Sequence, residues 1–153
     1  MDFFELIRNG ELENIKQLVT ADPGLLEARD ARGFPPLVLA SYHEQYDITK
    51  YLLEAGADVN VQDAAGNTAL MGICFKGYPT IAALLLEHGA DVNKQNANGA
   101  TALIYTATFG QNEIARMLLE HGADKTLQDQ RGNTATDHAK MQGAPGMEEL
   151  LTN

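Results

Sequence analysis

The residues of this chain that could do chemistry are few and widely spaced. The chain has four histidines and one cysteine: His43, His88, His121, His138 and Cys74. His88 and His121 lie 33 residues apart, each directly before a glycine, so a repeat with that step could align two imidazoles on a metal. A histidine before a glycine is also typical of a helix C-terminus, where the ring meets the last carbonyls and the helix dipole. We favour this structural role.

Motifs for catalysis or metal binding are absent or incomplete. His43-Glu44 begins like a zinc-protease helix, but no second histidine follows at the required step. The run 58–63, DVNVQD, faintly resembles a calcium loop but lacks glycine at its sixth position. Cys74 lies in an apolar segment, where a small buried core residue is the usual role. We therefore predict no enzymatic activity, no catalytic residue, no metal site and no cofactor.

Composition narrows the class of protein further. At 153 residues, one domain is the natural expectation. Eleven basic against 21 acidic residues give a formal charge of −10, which repels phosphate backbones and anionic lipids. No apolar run is long enough to span a membrane, the N-terminus lacks the pattern of a secretory signal, and a lone cysteine forms no internal disulfide. We expect a cytoplasmic protein that binds neither nucleic acid nor membrane.

The strongest pattern is an internal repeat of 33 residues. The phrase GADVN occupies 56–60 and 89–93, and GAD returns at 122–124. Two further series keep the same step: Gly33, Gly66, Gly99 and Gly132, and Asp30, Asp63, Asn96 and Asp129. Such a period indicates stacked repeats rather than one irregular core. The predicted single domain comprises an N-terminal cap at 1–29, full repeats at 30–62, 63–95 and 96–128, and a C-terminal cap at 129–153.

Each repeat is predicted to contain two short helices. In 63–95, Thr68 can cap a first helix, ALMGICFK, and the run Gly77-Tyr78-Pro79 ends it. Thr80 can cap a second helix, IAALLLEH, which Gly89 stops in a left-handed conformation. The chain then runs outward to a tight turn near 96–99. A short helix pair cannot bury its apolar faces alone, so the copies must stack into an all-α solenoid with projecting loops.

The pattern D-x-x-G-x-T-A-L followed by LLEHGADVN resembles the ankyrin repeat, and the resemblance covers essentially the whole chain. It implies stacked helix pairs with hairpin-like loops on one side. It also implies a concave surface, formed by first helices and loop tips, that binds other proteins. The compact chain resembles small stand-alone bacterial members of that family.

The repeats depart from the family pattern in several places. The usual histidine near the start of each first helix is replaced by an apolar residue, and Pro35 replaces a capping threonine, at a cost of about 1 kcal/mol. Gly72 lies inside a helix, which costs roughly 1 kcal/mol relative to alanine. We expect Tyr105, at the equivalent position one repeat later, to fill the space beside Gly72.

The last unit is expected to be a polar, weakly packed cap. Polar residues Thr136, Asp137, His138 and Lys140 replace apolar helix positions and are expected to face solvent. The run 143–146, GAPG, is expected to interrupt the start of the second helix.

The resemblance places candidate partner-binding residues at the ends of the first helices and at the loop tips. They are Arg32, Phe34, Tyr42, His43, Asn67, Phe75, Lys76, Asn98, Thr108, Phe109 and Arg131. Tyr42, Phe75 and Phe109 give every full repeat an aromatic side chain there. Exposed aromatics fit protein-binding hot spots, whereas the same rings could instead fold onto the neighbouring helices and cover the core. Basic residues on this face favour a partner with an acidic or mixed patch.

Three functions remain open at this stage. The first is a non-catalytic, monomeric module that binds a protein partner through the concave face and loop tips. The second is an accessory protein for a haem enzyme or oxidative-stress response, because GNTALMGICFKGY resembles small bacterial ankyrin proteins associated with catalases. Direct haem contact would then fall to Tyr42, His43, Tyr105 or Cys74. The third is an engineered binder, although the irregular repeats favour a natural chain.

Overall fold

A computed structural model describes all residues, 1–153, as an all-α stack without a β-strand. One 3₁₀ turn, Pro23–Glu27, precedes the first full repeat. The ten helices, in chain order, are α1 Phe3–Asn9, α2 Leu12–Ala21, α3 Pro36–Tyr42, α4 Tyr46–Glu54, α5 Ala69–Lys76, α6 Pro79–Glu87, α7 Ala102–Phe109, α8 Asn112–Glu120, α9 Ala135–Met141 and α10 Pro145–Thr152.

The helices form two layers. The first helices of the pairs, α1, α3, α5, α7 and α9, pack side by side, and the second helices line up behind them. A single cluster of 35 buried apolar residues runs through the stack from α1 to α10. Each short helix is therefore stabilised mainly by its neighbours, as in other repeat proteins. The predicted all-α solenoid of stacked helix pairs is confirmed.

Four equivalent side chains close the turns that project from the stack. We call Asp30, Asp63, Asn96 and Asp129 the turn residues. In each of them, Oδ1 accepts the backbone N–H groups two and four residues further on, at 2.9–3.0 Å. A glycine with positive φ follows three residues later. At Gly66 the neighbouring repeat is so close that an added Cβ would lie 2.9 Å from the backbone nitrogen of Ala97.

The side chain before each turn residue ties one turn to the next. Gln62 Nε2 donates to the carbonyl of Gly66 in its own turn, at 2.7 Å, and to that of Gln95 in the next, at 3.3 Å. Gln95 repeats the arrangement one repeat later, and the guanidinium of Arg29 takes the same role one repeat earlier. These bonds keep the loops in register along the stack.

The helix starts agree with the sequence prediction at the first helices and differ at a second helix. Thr68 Oγ1 accepts the backbone N–H of Met71 and caps α5, as predicted. Pro35 makes no side-chain cap at α3, also as predicted. The predicted cap at Thr80 is wrong, because α6 already begins at Pro79. Proline suits the first helical position, since its missing N–H would have no partner there.

The C-terminal unit has more local bonding than its sequence suggested. Thr134 and Asp137 form a reciprocal capping box at the start of α9. His138 Nε2 donates to Asp129 Oδ2 at 2.7 Å, and its side chain is only 18% exposed. The expectation that these polar residues simply face solvent is therefore wrong for His138. The predicted interruption is also shorter, because α10 begins at Pro145 and includes Gly146.

Burial raises the pKa of the Asp129 carboxyl, but hydrogen bonds from His138 and from the backbone of Asn133 and Arg131 outweigh it, so the net shift is downward. The carboxylate is therefore held in its charged form at neutral pH. This pair connects the projecting turn of the last unit to α9.

Stability is expected to decrease towards the C-terminal end. Only two side chains of α10, Met147 and Leu151, are buried, and the terminal helix pair has a neighbour on one side only. We predict that amides of 130–153 exchange first and those of 63–128 last, as measured by hydrogen exchange with mass spectrometry. Protection in the last unit equal to that around Leu85 and Leu118 would contradict this gradient.

Candidate protein-binding face

The ends of α3, α5 and α7 place three aromatic side chains in one continuous row. We call Tyr42, Phe75 and Phe109 the aromatic row. Tyr42 and Phe75 stack with ring centroids 6.3 Å apart and planes 3° from parallel, and Phe75 meets Phe109 edge-to-face at 4.8 Å. The rings nevertheless remain 38%, 45% and 43% exposed, in that order. They contact each other, yet they leave a ridge of apolar surface open to solvent.

Two basic side chains of this face lie over aromatic rings. Lys76 Nζ lies 4.9 Å from the ring centroid of Tyr42, and the Arg32 guanidinium lies 5.7 Å from that of Phe34. Partial burial, with smaller contributions from the charges of Arg8 and Lys76, lowers the pKa of His43. His43 is therefore uncharged at neutral pH, and the positive charge on this face comes from lysine and arginine alone.

A groove of about 930 Å³ lies between the N-terminal cap and the first two full repeats, lined by first helices and turns. We call it the inner groove. Six predicted site residues line it: Arg32, Phe34, Tyr42, His43, Asn67 and Phe75. Four others line a separate hollow of about 300 Å³ farther along the stack: Asn98, Thr108, Phe109 and Arg131. The predicted residues thus divide between two hollows, and Lys76 lies beside Tyr42, outside the lining of either.

Sequence reasoning missed several residues that line the inner groove. Phe4 and Arg8 come from α1, which had been assigned only a capping role. Asp63, Gly72 and Tyr105 also line the groove. In the sequence, Gly72 stands out as a glycine inside a helix, and Asp63 belongs to the series of turn residues. Only the stacking of the repeats shows that these two positions line one groove.

The space beside Gly72 is not filled as expected. An added Cβ at Gly72 would have one neighbour within 4 Å, Tyr42 Cδ1 at 3.6 Å. No atom of Tyr105 lies within 4 Å of that position, and its hydroxyl is bound to Asn96 Nδ2 at 2.8 Å within its own repeat, although Tyr105 lines the same groove. The predicted compensation by Tyr105 is therefore wrong, and the space opens into the inner groove.

The other candidates for chemistry have structural roles. Nδ1 of His88 lies 3.0 Å from the carbonyl of Leu84, and Nδ1 of His121 lies 2.8 Å from that of Met117. Both imidazoles bind the last turn of their helices, so the favoured structural role is confirmed. No group of three or more His, Cys, Asp or Glu side chains lies close enough together to hold a metal ion. Cys74 is fully buried, and burial raises the pKa of its thiol.

Comparison with known proteins identifies a family. The family described as ankyrin repeats (3 copies) matches residues 3–63 and 70–153. Similar proteins include the mouse protein phosphatase 1 regulatory subunit 27, 33% identical over 52% of this chain and 51% of its own length. The human DNA-binding protein RFXANK is 31% identical over 46% of this chain and 27% of its own length.

A plant protein also matches, the serine/threonine-protein kinase VIK of Arabidopsis thaliana, at 48% identity over 37% of this chain. The match covers 13% of the kinase, and this chain spans about half or less of each of these three relatives. Their activities as whole proteins are therefore not carried over. None of the three is named for haem or catalase, and the comparisons do not support the haem-enzyme alternative.

The burial of Cys74 has a direct chemical consequence. A thiol reagent needs an exposed thiolate, so we predict that Ellman's reagent leaves Cys74 unreacted in the folded chain. In denaturant it should release one equivalent of product per chain. The variant Phe75→Cys provides the control, because it places a thiol at a 45% exposed position one residue away. Reaction of the native chain as fast as this variant would show that α5 opens readily.

Proposed function

This chain belongs to the ankyrin-repeat family, and we propose that it acts as a non-catalytic module that binds a protein partner through the face carrying the inner groove. Members of this family generally bind other proteins. The observation that supports the proposal most strongly is the position of the aromatic row. Phe75 and Tyr42 form one wall of the inner groove, so a ridge and a groove adjoin on the same face. A partner that covers the ridge can place side chains in the groove.

The chemistry of this face suits protein recognition. Aromatic side chains and arginine are enriched at the energetic centres of protein interfaces, because they bury large surfaces with little loss of conformational entropy. The aromatic row is already ordered by its own ring contacts, which reduces the entropy lost on binding. Lys76 lies over Tyr42 in the row, and Arg32 lines the adjoining groove. Both charges favour a partner with acidic groups around an apolar centre.

The remaining proposals concern the kind of partner, the cellular location and the oligomeric state. A formal charge of −10 opposes binding to nucleic acid, and no helix has the length and apolar character needed to cross a membrane. We propose that the chain works in the cytoplasm as a monomer.

The aromatic row supplies the test of this proposal. A partner is first identified by affinity purification and mass spectrometry and then purified for titration calorimetry. Phe75→Ala and Phe109→Ala should each weaken binding about tenfold or more, because both rings would lie at the centre of the interface.

The matched control is Tyr46→Ala. Tyr46 is 37% exposed, as much as Tyr42, but it begins α4 in the second layer of helices. This variant should bind with unchanged affinity, and thermal unfolding of all three variants checks that they fold. Unchanged affinity in both phenylalanine variants would place the binding site elsewhere on the chain.

A further inference from the structure

Two of the four turn residues make a second contact, with a ring from the first helix of their own unit. We call the position nine residues after each turn residue the ring position. In the third full repeat, Asn96 Nδ2 donates to the hydroxyl of Tyr105 at 2.8 Å. In the last unit, His138 Nε2 donates to Asp129 Oδ2 at 2.7 Å. An aromatic ring from the first helix thus meets the free end of the turn side chain in both units.

The first two full repeats lack this ring, because their ring positions are Leu39 and Gly72. Only Gly72 leaves the position without a side chain. Oδ1 of Asp63 accepts the backbone N–H groups of Ala65 and Asn67, each at 2.9 Å, and Oδ2 has no hydrogen-bond donor. Asp63 is only 9% exposed. No side-chain polar atom sealed from solvent lacks a partner, so Oδ2 must open onto the inner groove that Asp63 and Gly72 both line.

The space beside Gly72 is open and is lined by side chains that suit an aromatic ring. The backbone of Gly72 is regular helix, and the nearest side-chain atom to an added Cβ is Tyr42 Cδ1 at 3.6 Å. Apolar and aromatic side chains surround the space: Tyr42, Met71, Phe75 and Tyr105. Water in the groove can reach this carboxylate oxygen, so a ligand that covers it must supply a hydrogen-bond donor in place of that water.

We propose that this space receives an aromatic side chain of the partner protein that carries a hydrogen-bond donor, and that the donor binds Asp63 Oδ2. Tyrosine, tryptophan and histidine have this chemistry. The partner's ring would take the place that Tyr105 occupies in the third full repeat and His138 in the last unit. This inference rests on the proposed function and names the side chain by which the partner is recognised.

The walls of the groove, rather than its net charge, favour an aromatic ring over an ion. Three arginines and three aspartates line it: Arg8, Arg29, Arg32, Asp2, Asp30 and Asp63. His43 adds no positive charge at neutral pH, because its pKa is lowered. The groove is therefore close to neutral overall, and its apolar and aromatic side chains make a bare ammonium or carboxylate costly to bury there. A phenylalanine would fit the walls but would strip water from Asp63 Oδ2 without replacing its hydrogen bond.

Small aromatic probes test the inference without the partner. We would titrate the full chain with phenol and with anisole, which has the same ring but no donor, and follow backbone amides by ¹H–¹⁵N NMR. Phenol should shift the amides of Ala65, Asn67 and Gly72 and bind at least about tenfold more tightly than anisole. Equal binding of the two probes, or shifts elsewhere only, would overturn the inference.

Two variants at Gly72 test whether the partner uses the same space as phenol. Gly72→Tyr should fill the site with the chain's own ring, abolish phenol binding and weaken the partner about tenfold or more. Gly72→Ala adds one methyl group, keeps the space open and should retain phenol binding. If Gly72→Tyr leaves partner affinity unchanged, no partner ring occupies the site. If Phe75→Ala weakens the partner but phenol does not bind, the proposed function stands and the inference fails.

Discussion

The stack depends on one hydrogen-bonded arrangement, the closure of each projecting turn by the Oδ1 atom of its turn residue. Two backbone N–H groups that water would otherwise have to satisfy are held at 2.9–3.0 Å in all four turns. The turn then has a single shape, and the side chain before it can bridge to the next turn. Because repeats contact only their neighbours, this register holds the first helices side by side.

The same closure determines what the binding face can do. Since Oδ1 is occupied in each turn side chain, only its other terminal atom can bond outside the turn. Tyr105 and His138 satisfy that end in two units. Gly72 has no side chain that could bind Asp63, and the space beside it opens into the inner groove, next to Tyr42. A departure from the repeat pattern that costs helix stability thus coincides with the inner groove.

The repeat architecture could be predicted from the sequence, whereas the groove could not. A 33-residue period, threonine caps and glycine stops are local signals, so the helices followed from them. Thr80 failed as a cap because the proline before it starts the helix. Gly72 was recognised as unusual, but its neighbour was misassigned: Tyr105 is engaged by Asn96, and Tyr42 from the preceding repeat comes closest. Which side chains meet across repeats depends on rotamers and stacking geometry, which spacing alone does not determine.

In the site proposed for this chain, an unmatched turn residue beside a helical glycine receives a side chain of the partner. A crystal structure of the chain bound to its purified partner would show whether this site is used. We expect it to show a donor-bearing aromatic ring of the partner between Tyr42 and Tyr105, with its donor within hydrogen-bond distance of Asp63 Oδ2. A partner seated on the second helices, or one that leaves the inner groove open to water, would contradict it.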